Sequence, residues 1–488
     1  MKNMKKSNFI SLMLLWCFTM MLAACSSGDS PEEKSDVLVV NASSVAFKAN
    51  KDLTQTFVVV SSAAPKVTAD SQTWYSVSTG AATPSASNLS TTVTVTAKEN
   101  TTTEKRSGTI TISCGAKTTT VAVSQEAGEK APDPIVKNFD PLSNANATKE
   151  AKNVYNFLKE IYGSKMLSGV QASEPNTLDR VNAVGKITGK HPALAGFDYI
   201  FLAFSPTPDG WSWVQNYNDI SAAKEQWENN GLVNFMWHWN VPNSEEDFNN
   251  CVNKGATDNM GFYISGDGST SFDIREALKE GTWQNKCILR DIEEVAGYLK
   301  LLQDANIPVI FRPLHEAAGN YTRYNPNGGA WFWWGRYGAK YCKQLYILLY
   351  DKLVKEHGLN NLIWVWTVDV APGYEDAAKE WYPGDEYVDI VGADVYTTNN
   401  AIAWSTQYTF MTNLVSGKKM TTVSECGNMP EPSAQFKGGA NWLWFMVWPL
   451  GDEPTSNVDN NTKNTEAYWK NVFGNSNVLN REDMPSLK

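Results

Sequence analysis

Two hydrophobic rhythms run along this chain, and one gives way to the other near residue 139. Between Asp36 and Ala127 apolar residues alternate with Thr and Ser, as in Thr92-Val93-Thr94-Val95-Thr96, Thr109-Ile110-Thr111-Ile112 and Thr119-Thr120-Val121-Ala122-Val123. A period of two puts every second side chain on one face of an extended strand. Gly, Asn and Lys turn signals bound these runs. The segment therefore predicts a small all-β, immunoglobulin-like sandwich of roughly seven to eight strands.

From Phe139 onward short apolar, β-branched runs alternate with amphipathic stretches. The runs are Met166 to Val170, Ala193 to Phe197, Leu232 to Trp237, Pro308 to Arg312, Leu362 to Thr367, Val388 to Ala393, Met420 to Ser424 and Leu443 to Trp448. Between them, Val154, Leu158 and Ile161, and again Ile292, Val295, Ala296 and Leu299, keep the spacing of one helical face. A further helix carries Tyr346, Leu349, Tyr350 and Leu353 and is expected to stop at Gly358 in a left-handed cap. Strands buried on both faces and joined by helices form a parallel sheet. Eight such units in roughly 350 residues predict an α/β fold, a (β/α)8 TIM barrel. The main insertion, Asn240 to Lys286, follows the third run and so belongs to the face where the strands end.

The first residues read as an export signal: Lys2, Lys5 and Lys6 precede an apolar run from Phe9 to Leu22 that is too short to span a bilayer. Leu22-Ala23-Ala24-Cys25 resembles the bacterial lipobox, which implies lipidation of Cys25 and an anchor that tethers without spanning. The expected organisation is a signal peptide over 1–24, a polar tether over 25–35, the sandwich over 36–127, a Gly- and Pro-containing linker over 128–138 and the barrel over 139–488. The expected location is the outer membrane, on the cell surface, with a periplasm-facing anchor as the alternative.

Charge and ligand-type residues narrow the chemistry. A net charge of −10 argues against a nucleic-acid partner. His191, His238, His315 and His357 form no ligand-spaced pair, and Cys114, Cys251, Cys287, Cys342 and Cys426 show no metal spacing, so no metal or cofactor is expected. A bridge between Cys251 and Cys287, which flank the insertion, stays open. The 19 Trp point toward sugars, whose apolar faces stack on aromatic rings.

In a barrel of this kind chemistry sits where strands end. Two Glu occupy such positions: Glu316 in Phe311-Arg312-Pro313-Leu314-His315-Glu316, and Glu425 in Thr422-Val423-Ser424-Glu425-Cys426-Gly427. By position alone they fit either the two carboxyls that glycosidic hydrolysis needs or rim charges paired with Arg.

Pro313-Leu314-His315-Glu316 followed by Trp331-Phe332-Trp333-Trp334-Gly335, together with Ser424-Glu425-Cys426-Gly427, resembles glycoside hydrolase family 26, whose members are mostly β-mannanases. The resemblance implies a retaining hydrolase of mannan, glucomannan or galactomannan that cuts internal β-1,4 bonds, with Glu316 as general acid/base and Glu425 as nucleophile. It implies substrate contacts from His238, His315, Trp331, Asp394, Tyr396 and Trp448, with Tyr396 donating its hydroxyl to Glu425. Trp333, Trp334, Trp364, Trp366 and Trp444 are expected to serve packing. The stretch from Ala317 to Ala330 is longer than the family's compact form, and Pro449 stands where some mannan enzymes carry Arg. The longer stretch leaves the mode of attack open, with mannobiose release as the alternative, while Pro449 bears on the grip two sugars from the cut. A mixed-linkage β-glucan or β-xylan substrate also stays open, because loops sense the backbone linkage; a non-catalytic glycan-binding lipoprotein is the lower-ranked alternative, since a binder has no use for an acid and nucleophile pair. A monomer is expected.

Trp74, Asn100, Arg106-Ser107-Gly108-Thr109-Ile110 and Val121-Ala122-Val123-Ser124-Gln125 resemble the BACON domain of Bacteroidetes carbohydrate enzymes. That resemblance implies glycan binding or a spacer. The segment carries no legible cluster of exposed aromatics, which favours the spacer.

The anchor has a direct test. Cells given a labelled fatty acid should incorporate it into the wild-type chain, and Cys25→Ser should abolish incorporation; label retained by the Ser variant would contradict acylation at Cys25.

Overall fold

The computed structural model describes residues 36–49, 52–100, 102, 104–128, 137–204, 216–254, 259–319, 329–370, 375–397, 401–448 and 464–488. Cys25, the tether, most of the linker, Pro449 and much of the stretch after Glu316 lie outside these residues. The chain divides into two compact units, residues 1–130 and 131–488.

In the first unit, two sheets face each other. One has the order Leu38–Val40, Thr54–Ser61, Asn88–Ala97, Tyr75–Thr79, with Thr83–Ser85 also on Asn88–Ala97. The other has the order Ser44–Phe47, Lys117–Gln125, Arg106–Cys114, Lys66–Ala69. These are nine strands among the described residues, more than the alternation predicts, because Leu38–Val40 and Thr83–Ser85 are three-residue pieces too short to show a period. The inward set, including Phe57, Val59, Val93, Val95, Ile110, Ile112, Val121 and Val123, is buried, and the intervening Thr and Ser face outward or lie at the margin. Trp74 belongs to this core, with Arg106 4.9 Å above its ring.

The second unit is a closed barrel of eight parallel strands: β1 Met166–Gln171, β2 Leu194–Asp198, β3 Leu232–Trp237, β4 Val309–Pro313, β5 Leu362–Asp369, β6 Ile390–Val395, β7 Met420–Cys426 and β8 Trp444–Val447. Each pairs with the next, and β8 pairs with β1, so no strand edge is left open. The principal helices are α1 Lys149–Ile161, α2 Asp179–Thr188, α3 Ser221–Glu228, α4 Trp283–Asp304, α5 Ala339–Tyr350, α6 Ser405–Leu414 and α7 Glu466–Phe473.

The apolar face of α1 (Val154, Leu158, Ile161) and that of α4 (Ile292, Val295, Ala296, Leu299) are buried. Thr148 starts α1 by accepting from the Ala151 amide, and Thr282 does the same for Asn285 at α4. The chain does reverse at Gly358, whose φ is +65°, but α5 widens into a π-helical stretch, Asp351–Glu356, before it gets there. The amides of His357 and Leu359 reach back to the Lys352 and Leu353 carbonyls to close it.

Cys251 and Cys287 are free thiols, so the bridge left open by the sequence is not formed. Cys251 instead accepts from Arg290, and the Cys287 thiol points to Asp291. No helix among the described residues is long and apolar enough to cross a membrane.

Each unit has its own core. Ile112 is fully buried in the sandwich, so Ile112→Ala should destabilise that unit by about 2–5 kcal/mol and leave the barrel's unfolding transition where it was. Differential scanning calorimetry of the whole chain checks this; a shift of both transitions would show the cores to be coupled.

Candidate active site

The site is assembled where β4, β6 and β7 end. After Pro313 the chain turns sharply, with Leu314 at φ +51° and Glu316 at φ +47°, two left-handed residues that are not glycine. Such conformations cost about 1–3 kcal/mol each and persist only where the surroundings enforce them. On β7 a bulge intervenes: Ala393 on β6 lies opposite Val423, yet the next residue, Asp394, lies opposite Glu425. The extra residue, Ser424, is buried, and Thr367 Oγ1 on β5 bonds its hydroxyl at 3.2 Å. Gly392 makes room for it, since a Cβ there would lie 1.7 Å from Ser424 Oγ. The bulge thus re-aims Glu425 toward Asp394.

Carboxylate oxygens of Glu316, Asp394 and Glu425 lie within 4.8 Å of one another. Three carboxyls cannot all ionise at this separation without compensation. Compensation comes from Arg312, buried in β4, whose Nη2 donates to Asp394 Oδ1 at 3.2 Å, to Asp394 Oδ2 at 3.0 Å and to Glu425 Oε1. Tyr396 donates its hydroxyl to Glu425 Oε2 at 2.9 Å. Both Glu425 oxygens therefore accept from firm donors.

Glu316 has the opposite surroundings. Burial, then the negative charges of Asp394 and Glu425, push its carboxyl well above the usual range, and it shares a hydrogen bond with Asp394. A bond between two carboxyls requires a proton, and Asp394 is already neutralised by Arg312. The proton therefore resides on Glu316. The trio has the spacing of a metal-ligand set, but the Arg312 guanidinium already supplies the positive charge that a cation would bring.

An aromatic wall adjoins the carboxyls. His238 and His315 meet edge to face at 4.5 Å, Phe332 lies 5.0 Å from His315, and Trp448 lies 5.7 Å from His238. Burial, then His238 and Arg312, hold the His315 imidazole well below its usual range, so this ring is neutral, and its Nδ1 is buried without a partner among the described residues. Trp334 Nε1 donates to the His315 carbonyl at 3.0 Å and fixes the turn before Glu316. Tyr263, from the insertion after β3, stacks on Phe332 at 5.6 Å and is 40% exposed.

Of the residues singled out from sequence, Glu316, Asp394, Tyr396 and Glu425 converge in one cluster, with His238, His315 and Trp448 in the adjoining wall. Asp394, read as a substrate contact, has both oxygens bonded within the cluster. Trp331 is half-buried beside Gly319, and it is its neighbour Phe332 that faces the two histidines. Trp333, Trp334, Trp364, Trp366 and Trp444 are buried. Arg312, Asp198, Phe332 and Tyr263 join the site without being singled out by the sequence. Arg312 had a signal, a charge inside an apolar strand run, and Asp198 stands at a strand end.

A closed (β/α)8 barrel whose strand ends hold a protonated carboxyl beside a second carboxylate gripped by donors has the apparatus of a glycoside hydrolase. The chain belongs to glycosyl hydrolase family 26, whose family model matches residues 143–483. The BACON model, described as a putative binding domain, matches residues 64–126.

A mannan endo-1,4-beta-mannosidase of Thermothelomyces thermophilus is 37% identical over 359 residues, covering 72% of this chain and 65% of that protein. This chain therefore spans just under two thirds of that relative's length. The GH26 domain of an endo-beta-mannanase/endo-beta-glucanase from Prevotella bryantii superimposes with TM-score 0.60 and 33% identity, covering 70% of this chain and 98% of that one. A beta-mannanase from a symbiotic protist of the termite Reticulitermes speratus, complexed with gluco-manno-oligosaccharide, gives TM-score 0.58 and 31% identity over 73% of this chain and all of that one.

The raised Glu316 carboxyl makes a stability prediction. In the unfolded chain Glu316 ionises near 4.5, whereas the folded chain keeps the proton to higher pH, so folding takes up a proton between the two values. Stability is then lost as pH rises through that window. Glu316→Gln cannot ionise and can still donate to Asp394, so its melting temperature relative to wild type should be higher at about pH 8 than at about pH 4. Calorimetry across pH checks it; a difference independent of pH would place the proton elsewhere.

Proposed function

We propose that this protein hydrolyses internal β-1,4-mannosidic bonds of mannan, glucomannan or galactomannan with retention of configuration, Glu316 acting as general acid/base and Glu425 as nucleophile. The observation that carries this is the carboxyl pair, with oxygens within 4.8 Å of each other. Retaining enzymes hold their carboxyls about 5–5.5 Å apart, whereas inverting enzymes need about 6.5–9.5 Å to admit a water. The relatives' names support mannan as the substrate.

Each group has a task in this reading. Glu316 carries the proton that the departing oxygen needs. Glu425 attacks the anomeric carbon, and the hydroxyl of Tyr396 and the guanidinium of Arg312 keep its charge in place until it does. As the glycosyl-enzyme forms, the negative charge on Glu425 is consumed. Glu316, having given up its proton, then serves as the base that draws a proton from the incoming water. Tyr263 and Tyr396, the exposed aromatics among the described residues, offer rings for sugar faces to lie against. An acylated Cys25 would hold the enzyme at the outer membrane, a location supported by the lipobox-like motif alone.

The test combines products and mutants. Wild-type enzyme given mannan, galactomannan, mixed-linkage glucan and xylan should release a ladder of oligosaccharides from the mannans; exclusive mannobiose release, or preference for glucan or xylan, would overturn the endo-mannanase reading. With an activated mannoside, Glu316→Ala should accumulate a glycosyl-enzyme and yield a β-glycosyl azide on adding azide, while Glu425→Ala should yield the α-azide. On polysaccharide, Glu316→Ala should lose about 10²–10⁴-fold in rate. The same anomer from both variants would remove these roles.

A further inference from the structure

Beyond the carboxyl cluster, the site contains a buried acid–imidazole pair. Asp198 ends β2 and His238 directly follows β3, and both are buried. Asp198 Oδ2 lies 2.5 Å from His238 Nδ1, and Asp198 Oδ1 accepts from the His238 backbone amide at 3.0 Å. Asp198 is itself fixed, since its amide donates to the Pro175 carbonyl and its own carbonyl accepts from Tyr217 Oη. A carboxylate only accepts, so the hydrogen of this bond belongs to Nδ1. In the neutral ring Nε2 then keeps its lone pair. Nε2 has no protein partner among the described residues, and the ring is walled by His315, Phe262, Phe332 and Trp448.

We propose that Asp198 is a positioning residue that locks His238 in the Nδ1–H tautomer, making Nε2 a hydrogen-bond acceptor for a substrate sugar hydroxyl next to the reacting centre. This rests on the functional reading above and deepens it, because it states the polarity of one substrate contact. The two-point grip is what gives the pair its specificity. One carboxylate oxygen ties the backbone of His238 and the other ties its ring, so neither tautomer nor ring angle is free to change. A sugar hydroxyl can donate or accept, but the site offers it one option here.

The same geometry makes Asp198→Asn an inversion rather than a deletion. The His238 backbone amide still requires an acceptor, so the Asn oxygen takes that place and the amide nitrogen faces Nδ1. An NH₂ group there can only donate, which drives the ring hydrogen to Nε2 and converts the acceptor into a donor. The side-chain volume is nearly unchanged.

The chain holds four His, so long-range 1H–15N correlation of the His-labelled full-length protein gives a spectrum that can be assigned by a His238→Gln control. Wild type should show His238 as Nδ1–H, and added mannotriose should shift its Nε2 resonance. Asp198→Asn should show Nε2–H and lose about 10–100-fold in kcat/KM on manno-oligosaccharides, in keeping with a mispaired substrate hydrogen bond. A neutral wild-type ring found as Nε2–H would overturn the proposal. So would a tautomer flip with kcat/KM intact, or an enzyme that hydrolyses mannan while mannotriose leaves Nε2 unmoved. If Asp198→Asn does not fold, the wild-type tautomer and its response to mannotriose decide alone. Absence of mannan hydrolysis by wild type would instead sink the functional reading, with the tautomer still readable.

Discussion

The site depends on one buried cation. Arg312 sits within β4 and bonds two carboxylates that come from β6 and β7, so three strands that are distant in sequence are joined at the barrel mouth. Without its charge, Glu316, Asp394 and Glu425 would face one another across a few ångströms of poorly solvated space, and repulsion would drive them apart or protonate them indiscriminately. With it, charge is distributed unequally. Asp394 and Glu425 are gripped by donors, and the proton is left with Glu316. Two like side chains thereby acquire unlike chemistry.

The backbone is bent to serve that arrangement. Leu314 and Glu316 occupy left-handed conformations, and the β7 bulge around Ser424 shifts Glu425 by one position against β6. Each departure from regular geometry costs stability locally. The closed barrel, with its continuous core beneath these strand ends, holds them in place. The sandwich also holds left-handed residues that are not glycine, Asp52 at φ +55° and Ala86 at φ +53°. Its Tyr75 Oη donates to Asp70 at 2.9 Å and to the Thr109 carbonyl at 3.0 Å, which ties Tyr75–Thr79 to the facing sheet.

The aromatic wall reflects a second constraint, because hydrophobic packing and hydrogen bonding share the same rings. Trp333 Nε1 reaches the Trp239 carbonyl at 2.8 Å and Trp239 Nε1 reaches Asp291 at 2.8 Å, so these buried indoles are satisfied while they pack. His315 Nδ1 and the Nε of Arg312 find no partner among the described residues, although both are buried. Unsatisfied polar atoms are tolerated where binding or charge balance needs them, and both of these belong to the site.

Period and position in the sequence determined a good deal about this protein. Alternation in 92–96, 109–112 and 119–123 is enough to place three sandwich strands, and the eight apolar runs fall on the eight barrel strands to within two residues at either end, because a strand buried on both faces must be apolar throughout. Glu316 and Glu425 were legible because a barrel exposes chemistry only at strand ends. Tertiary structure decided what they are paired with. No local pattern reveals that Arg312 points inward to meet residues 82 and 113 positions away, that Asp198 grips His238 across 40 residues, or that a bulge turns Glu425 toward Asp394. Those facts follow from strand register and closure. Spacing along the chain can announce a strand or a helix, but the charge state of a carboxyl depends on neighbours that only the closed barrel brings within reach.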